Sequence, residues 1–309
     1  MRTKAPTASR GPVDSLYIGH IGSERKKGRA MTTCTFAKTP EEVQKMYATV
    51  GQMDHCEGLF VSWVTDPSAI AAALPEQLTA IAPVCTLYSV LVGDANFSTP
   101  YKEVALIIPV IYDGVPGLYP VSIMLTGTDN AVFVGRDQLG MPKKTADSIT
   151  LWRSGSRVHT DVKRLGHTIF DLDMEVGEYN DPAMAAQIFG TDFTAPQDGM
   201  QYFYKFDMGQ DKDARIFVDN VRLLSYHGRM TYHGWEPASV KSIASEPSDS
   251  DPWAMFPVVK PIGGGWTMLD ISLLGTQKET PVEATDETVG KLLAGKYDSP
   301  QFGYPTRML

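Results

Sequence analysis

Lys143 and Lys144 stand side by side behind Pro142 in the stretch GRDQLGMPKKTAD, residues 135–147. A lysine attacks a carbonyl carbon to form an imine, but only as the neutral amine. The commonplace alternative is a solvated turn, because lysine is almost never fully buried. The surroundings shift that balance. The apolar run NAVFVG, read as a strand, leads into the segment. Gly135 and Gly140 permit sharp turns, and Pro142 fixes its own φ while pressing Met141 toward an extended conformation. Met141 is thereby a candidate wall of the same pocket. Gln138 is close enough in sequence to join it, and also reads as a polar loop position.

At the ordinary lysine pKa of about 10.4 the amine is almost wholly protonated at neutral pH. Lowering that value to about 7 takes on the order of 4 to 5 kcal/mol of differential destabilisation. A second ammonium about 6 Å away, at an effective dielectric of about 20, supplies roughly 3 kcal/mol. Desolvation by an apolar pocket must supply the rest. The pair is therefore functional only if Lys143 points into a barrel or cleft.

The elements around the pair are mostly strands. GLFVSWV, CTLYSVLV, EVALIIPVIY, YPVSIML, SITLWRS, TIFDLDMEVG, QYFYKFDM, RIFVDNVRLL and GWTMLDISLL are short, rich in β-branched and aromatic residues, and bounded by turn formers. In TIFDLDMEV the alternation places Phe170, Leu172, Met174 and Val176 on one face and Asp171, Asp173 and Glu175 on the other, as in an antiparallel sheet. Pro109 predicts an edge, bulge or bend. Three short helices begin at caps followed by proline: Thr39 with Glu42 as a capping box, Asp66 and Asp181. The expected class is mainly β with a few short helices (α+β), antiparallel and barrel-like or sandwiched. Residues 1–30 read as an arm, disordered or ordered by another subunit, and 31–309 as one domain.

Composition narrows the function. The 309 residues carry a net charge of −8 and an isoelectric point near 5.3, which argues against nucleic acid or an anionic membrane as partner. No apolar run approaches the roughly 20 residues of a bilayer span. Cys34, Cys56 and Cys85 form no C-x-x-C pair, and the histidines show no ligand spacing, so neither a disulfide framework nor a metal site is expected. A cytoplasmic protein with a small-molecule partner fits these features.

From STPYKE through IPVIYDGVPGLYPVSIMLTGTDNAVFVGRDQLGMPKKTAD, and more weakly through QYFYKFDMGQDKDARIFVDNVRLL and DPWAMFPVVKPIGGGW, the chain resembles the acetoacetate decarboxylase family. The resemblance implies an antiparallel, barrel-like fold of that family's type and a homo-oligomer. It implies that Lys143 forms a Schiff base without any cofactor and that Lys144 depresses its pKa, the mechanism for which that family is the standard example. Glu103 then matches the active-site glutamate, and Arg136 the arginine of the G-R-D/E motif, with a structural role as open as a catalytic one. Family decarboxylases also place an arginine and a second glutamate around the substrate carboxylate; here those positions fall on Cys56 and Tyr88. That departure favours an aldolase-dehydratase relative, in which pyruvate held by the lysine condenses with an aldehyde and loses water. Decarboxylation of a 3-oxo acid, and a non-catalytic barrel holding a small ligand, are the competing expectations.

Overall fold

The structure is a computed structural model that describes residues 37–298. The arm expected over residues 1–30 lies outside them. The described residues fall into two units, 37–49 and 50–298. In the first, helix α1 (Pro40–Tyr47) begins at the Thr39 and Glu42 capping box. Its other described side chains are exposed, apart from a half-buried Val43.

The second unit holds every strand among the described residues: β1 (Gly51–Val64), β2 (Thr79–Ala80), β3 (Val84–Ala95), β4 (Tyr101–Tyr112), β5 (Val115–Thr126), β6 (Lys143–Thr145), β7 (Ser148–Ser154), β8 (Arg157–Arg164), β9 (His167–Val176), β10 (Gln197–Gln210), β11 (Ile216–Ala244) and β12 (Lys260–Pro281). Four helices join them: α2 (Pro67–Ala73), α3 (Asn130–Leu139), α4 (Pro182–Phe189) and α5 (Asp286–Lys296). Asp66 and Asp181 cap α2 and α4 as expected from their sequence.

The sheet runs β10-β5-β4-β3-β1-β12-β11, and β11 pairs back onto β10, which closes a ring. The neighbours are antiparallel except where β5 meets β10 and β6. Strand β11 is 29 residues long and serves two layers of the one sheet. Its first part pairs with β10, whereas Ala238–Ala244 pairs with β9 and carries the chain into β9-β8-β7. That second layer covers the outer face of β1, β3 and β4. Trp63 stacks on Phe170, and Ser89 Oγ and Thr160 Oγ1 share a 2.7 Å hydrogen bond.

Strand β4 is consequently buried on both faces. Val104, Leu106 and Ile108 join the outer core with Val162 and Leu172, while Tyr101, Ala105 and Ile107 join the barrel interior with Phe60 and Leu125. Two buried faces give the unbroken apolar run in EVALIIPVIY. Pro109 sits beyond the last β3 partner, Ile107, where a missing N–H costs no bond to that strand, and a register shift lies between Leu106 and Ile107.

One predicted strand is a helix. NAVFVG forms the first turns of α3, with Ala131, Val132 and Gly135 buried. Six apolar residues do not distinguish the two structures by periodicity, and only the i, i+1, i+4 burial makes the helical period visible.

Candidate active site

Helix α3 ends at Gly140, whose φ of 73° is left-handed and whose N–H donates to the Arg136 and Gly135 carbonyls. A side chain there would also meet the Tyr204 carbonyl at 2.3 Å, so glycine is required twice over. The Met141 N–H returns to the Gly135 carbonyl at 3.1 Å, and the Pro142 carbonyl accepts from Ile123 at 2.9 Å. This turn delivers residues 143–145 as β6, parallel to β5, with Lys143 opposite Ile123 and Lys144 opposite Met124.

Successive residues of a strand face opposite ways. Lys143 goes inward with Ile123 and Leu125; it is 5% exposed, and its Nζ lies 2.8 Å from Glu103 Oε2. Glu103 is itself buried, on the inward face of β4. The Tyr88 hydroxyl donates to the other carboxylate oxygen, Oε1. One carboxylate thus bridges an amine and a phenol, three groups from β6, β4 and β3.

The remaining surroundings are apolar. The Lys143 stem lies against Gly135 of α3, where a Cβ would stand 2.8 Å from Cδ and 3.2 Å from the Met141 sulfur. Met141, Cys56, Tyr101 and Leu125 are buried around the same interior. Burial, reinforced by the Glu103 charge, pushes the Cys56 thiol up to about 12 and the Tyr88 and Tyr101 phenols well above their ordinary value. All three hold their protons at neutral pH. From Tyr88 a run of rings leads outward: Phe60 at 5.8 Å, Trp235 at 5.9 Å from Phe60, and Phe193 stacked on Trp235 at 4.5 Å.

Lys144 goes the other way. Its Nζ donates to the Ser250 carbonyl at 2.6 Å and pairs with Asp251 at 3.4 Å and Asp298 at 3.6 Å. Arg164 of β8 binds the same two carboxylates at 2.9 and 2.6 Å. Burial pulls the Lys144 ammonium below the usual lysine range, and Asp251 opposes that pull. The expected pair of ammonium groups in one pocket is therefore not what the fold makes. Strand alternation separates them, and two carboxylates already answer the Lys144 charge.

Of the other expected site residues, Tyr88 and Met141 adjoin the Lys143 pocket. Arg136 lies over the Tyr297 ring at 4.6 Å, and Gln138 is exposed, offering its carbonyl to Lys205. Sequence reasoning missed the ring series beyond Tyr88, since Phe60, Phe193 and Trp235 come from distant segments. It also missed the Arg164, Asp251 and Asp298 partners of Lys144, which no local signal marks.

Residues 35–281 match the model of the family described as acetoacetate decarboxylase (ADC). The chain belongs to the acetoacetate decarboxylase family. Among curated members it is 34% identical over 273 residues to the "CLA biosynthesis isomerase" of Lactiplantibacillus plantarum, covering 87% of this chain and 96% of that one. It is 31% identical over 91 residues to the acetoacetate decarboxylase of Ralstonia nicotianae, covering 29% of this chain and 36% of that protein. The acetoacetate decarboxylase structure from Legionella pneumophila superposes with a TM-score of 0.60 at 19% identity, over 75% of this chain and 88% of that one. The enduracididine biosynthesis enzyme MppR, complexed with the condensation product of pyruvate and imidazole 4-carboxaldehyde, gives 0.55 at 12% identity, over 74% and 88%. At those identities the two structures establish the acetoacetate decarboxylase fold, mainly β and barrel-like, that the sequence led one to expect.

Proposed function

We propose that this member of an enzyme family forms an imine between Lys143 and the carbonyl of an apolar substrate, and then relocates a proton and a double bond. The observation that carries the reading is the 2.8 Å contact between the Lys143 amine and Glu103 inside an apolar barrel. Passing the proton from Nζ to Glu103 yields the free amine and removes two charges from a low-dielectric interior. The amine adds to the carbonyl carbon, and loss of water leaves an iminium. Glu103, again a carboxylate, takes a proton from the carbon next to, or conjugated with, the iminium. The released pair forms an enamine or dienamine. Protonation at another carbon moves the double bond, and water hydrolyses the imine. Tyr88 holds Glu103 in place and supplies a donor at its far oxygen. The iminium is the electron sink, so this route needs no cofactor.

Both expected alternatives, pyruvate condensation-dehydration and acetoacetate decarboxylation, share the imine and use a small anionic substrate. Cys56 and Tyr88 offer no positive charge to a substrate carboxylate, the buried Arg164 is bound to Asp251 and Asp298, and Arg136 lies over Tyr297. The ring series from Tyr88 to Phe193 suits an apolar body instead. An isomerase relative aligned along nearly its whole length supports the same choice.

The test is borohydride trapping with a medium-chain β,γ-unsaturated ketone, followed by peptide mass mapping and by the ultraviolet absorbance of the conjugated product. An adduct on Lys143 together with conjugation supports the reading. Carbon dioxide from acetoacetate, or enone from pyruvate and an aldehyde, without double-bond migration would overturn the isomerisation and keep the imine. Absence of any Lys143 adduct with all these carbonyl compounds would overturn both.

A further inference from the structure

A cavity of about 480 Å³ lies outside the barrel interior, between α2, β5, β10 and α5. Ala73, Tyr119, Val121, Tyr202 and Leu292 give it an apolar lining, with Lys296 at one part of the wall and Asp249 and Asp251 at another; Asp251 is already paired with Lys144 and Arg164. The size is that of a small-ligand site. Two of the tyrosine hydroxyls on its wall are already used: Tyr202 donates to the Val115 carbonyl at 2.9 Å and Tyr204 to Gln77 Oε1 at 2.9 Å.

Lys296 is the exception. It is 7% exposed, yet among the described residues its three donors find one acceptor, the Tyr204 carbonyl at 3.3 Å, and the Phe206 ring at 3.9 Å. Among the described residues, no carboxylate reaches ion-pair distance of its Nζ. The charged groups facing it are Arg136 and Lys205, which repel, and Asp137, which attracts more weakly. The one other lysine on the wall, Lys291, is half-buried and is matched by Glu287 at 2.9 Å. A buried ammonium without its anion is costly, and such groups are ordinarily paired or give up the proton. Here the anion is missing and an apolar space adjoins the place where it would sit.

We propose that this cavity binds a monocarboxylate with an apolar body, the carboxylate pairing with Lys296 and the body lying against Tyr119, Tyr202 and Leu292. The occupant follows from charge and surface: a neutral apolar molecule leaves the ammonium unanswered, and a second cation adds to the repulsion. The site is separate from Lys143, which faces the barrel interior.

Isothermal titration of the full chain with octanoate, octanol and octylamine tests this. Octanoate is expected to bind with one-to-one stoichiometry, and octanol and octylamine about tenfold or more weaker. Lys296→Met is expected to weaken octanoate by a similar factor. Ala73→Leu, which fills the cavity without touching the ammonium, is expected to abolish binding, so the proposal stays testable if either variant folds poorly. Wild-type octanoate affinity in folded Lys296→Met or Ala73→Leu protein, equal affinity for octanol, or no octanoate heat at all would each overturn it.

Discussion

Gly135 holds the Lys143 stem by lacking a side chain: a Cβ there would stand 2.8 Å from Lys143 Cδ and 2.9 Å from Cε. The amine at the end of that stem is tied to Glu103, so the stem cannot swing aside without lengthening the 2.8 Å contact. Gly135→Ala is expected to displace the amine by a fraction of an ångström to an ångström. Misplacement on that scale costs up to about a hundredfold in rate. Borohydride trapping rates on Lys143 should fall accordingly while the melting temperature stays near wild type. An unchanged trapping rate would remove Gly135 from the positioning of the amine.

Glu103→Gln keeps the size of the side chain and removes its ability to take a proton. Turnover is expected to drop by about 10² to 10⁴, the usual contribution of a general base. Tyr88→Phe keeps the carboxylate but removes the donor that steadies its far oxygen, and should have the smaller effect. Solvent deuterium exchange at the carbon next to the carbonyl, measured with a non-isomerising ketone, reports the proton transfer alone. Exchange in Glu103→Gln at the wild-type rate would assign the base elsewhere.

Lys144 is expected to act on stability and not on the reactivity of Lys143. Lys144→Met removes one cation from a group in which the Asp251 side chain is wholly buried. Breaking a buried pair in this way typically costs about 3 to 5 kcal/mol, with Arg164 softening the loss. Denaturant midpoints should fall, whereas the pH dependence of Lys143 labelling should not move. A labelling profile shifted upward in Lys144→Met would restore the electrostatic coupling that the strand geometry denies.

Burial, with help from Arg136 and Lys205, lowers the Lys296 pKa to about 7. The unfolded chain takes up that proton below about 10.4, the folded chain only below about 7. Between those limits the unfolded state binds more protons, so this residue's contribution to stability rises with pH and its penalty is complete below about 7. Lys296→Met is therefore expected to be more stable than wild type at pH 7, by on the order of a few kcal/mol. The gain should shrink as pH approaches about 10. Melting curves of both proteins across that range measure the difference, and a gain that does not depend on pH would rule out the titration as its origin.

The caps at Thr39, Asp66 and Asp181 were legible because a cap, a proline and a carboxylate or hydroxyl interact within one turn. The strands of the barrel were legible from β-branched and aromatic runs, including those apolar on both faces. Helix α3 was not, since its apolar residues are too few to reveal a period. The single pair Gln201 and Leu118, through which β10 meets β5, joins segments far apart in the chain and leaves no local mark. The Lys143 and Glu103 partnership is legible only through resemblance to a family, as the two lie 40 positions apart in the chain. The direction taken by Lys144 needed one further fact, that residues 143–145 are a strand and not a turn.

A three-residue strand carries two amines of identical chemistry into opposite worlds, one greasy and one ionic. Which of them does the chemistry is decided by phase rather than by residue type. Deleting one residue from the 140–142 turn would present Lys144 to Glu103, turn Lys143 to the other face of the sheet and leave Thr145 opposite the carboxylates that Lys144 now answers. The length of the turn therefore decides the chemistry here as firmly as the lysine itself.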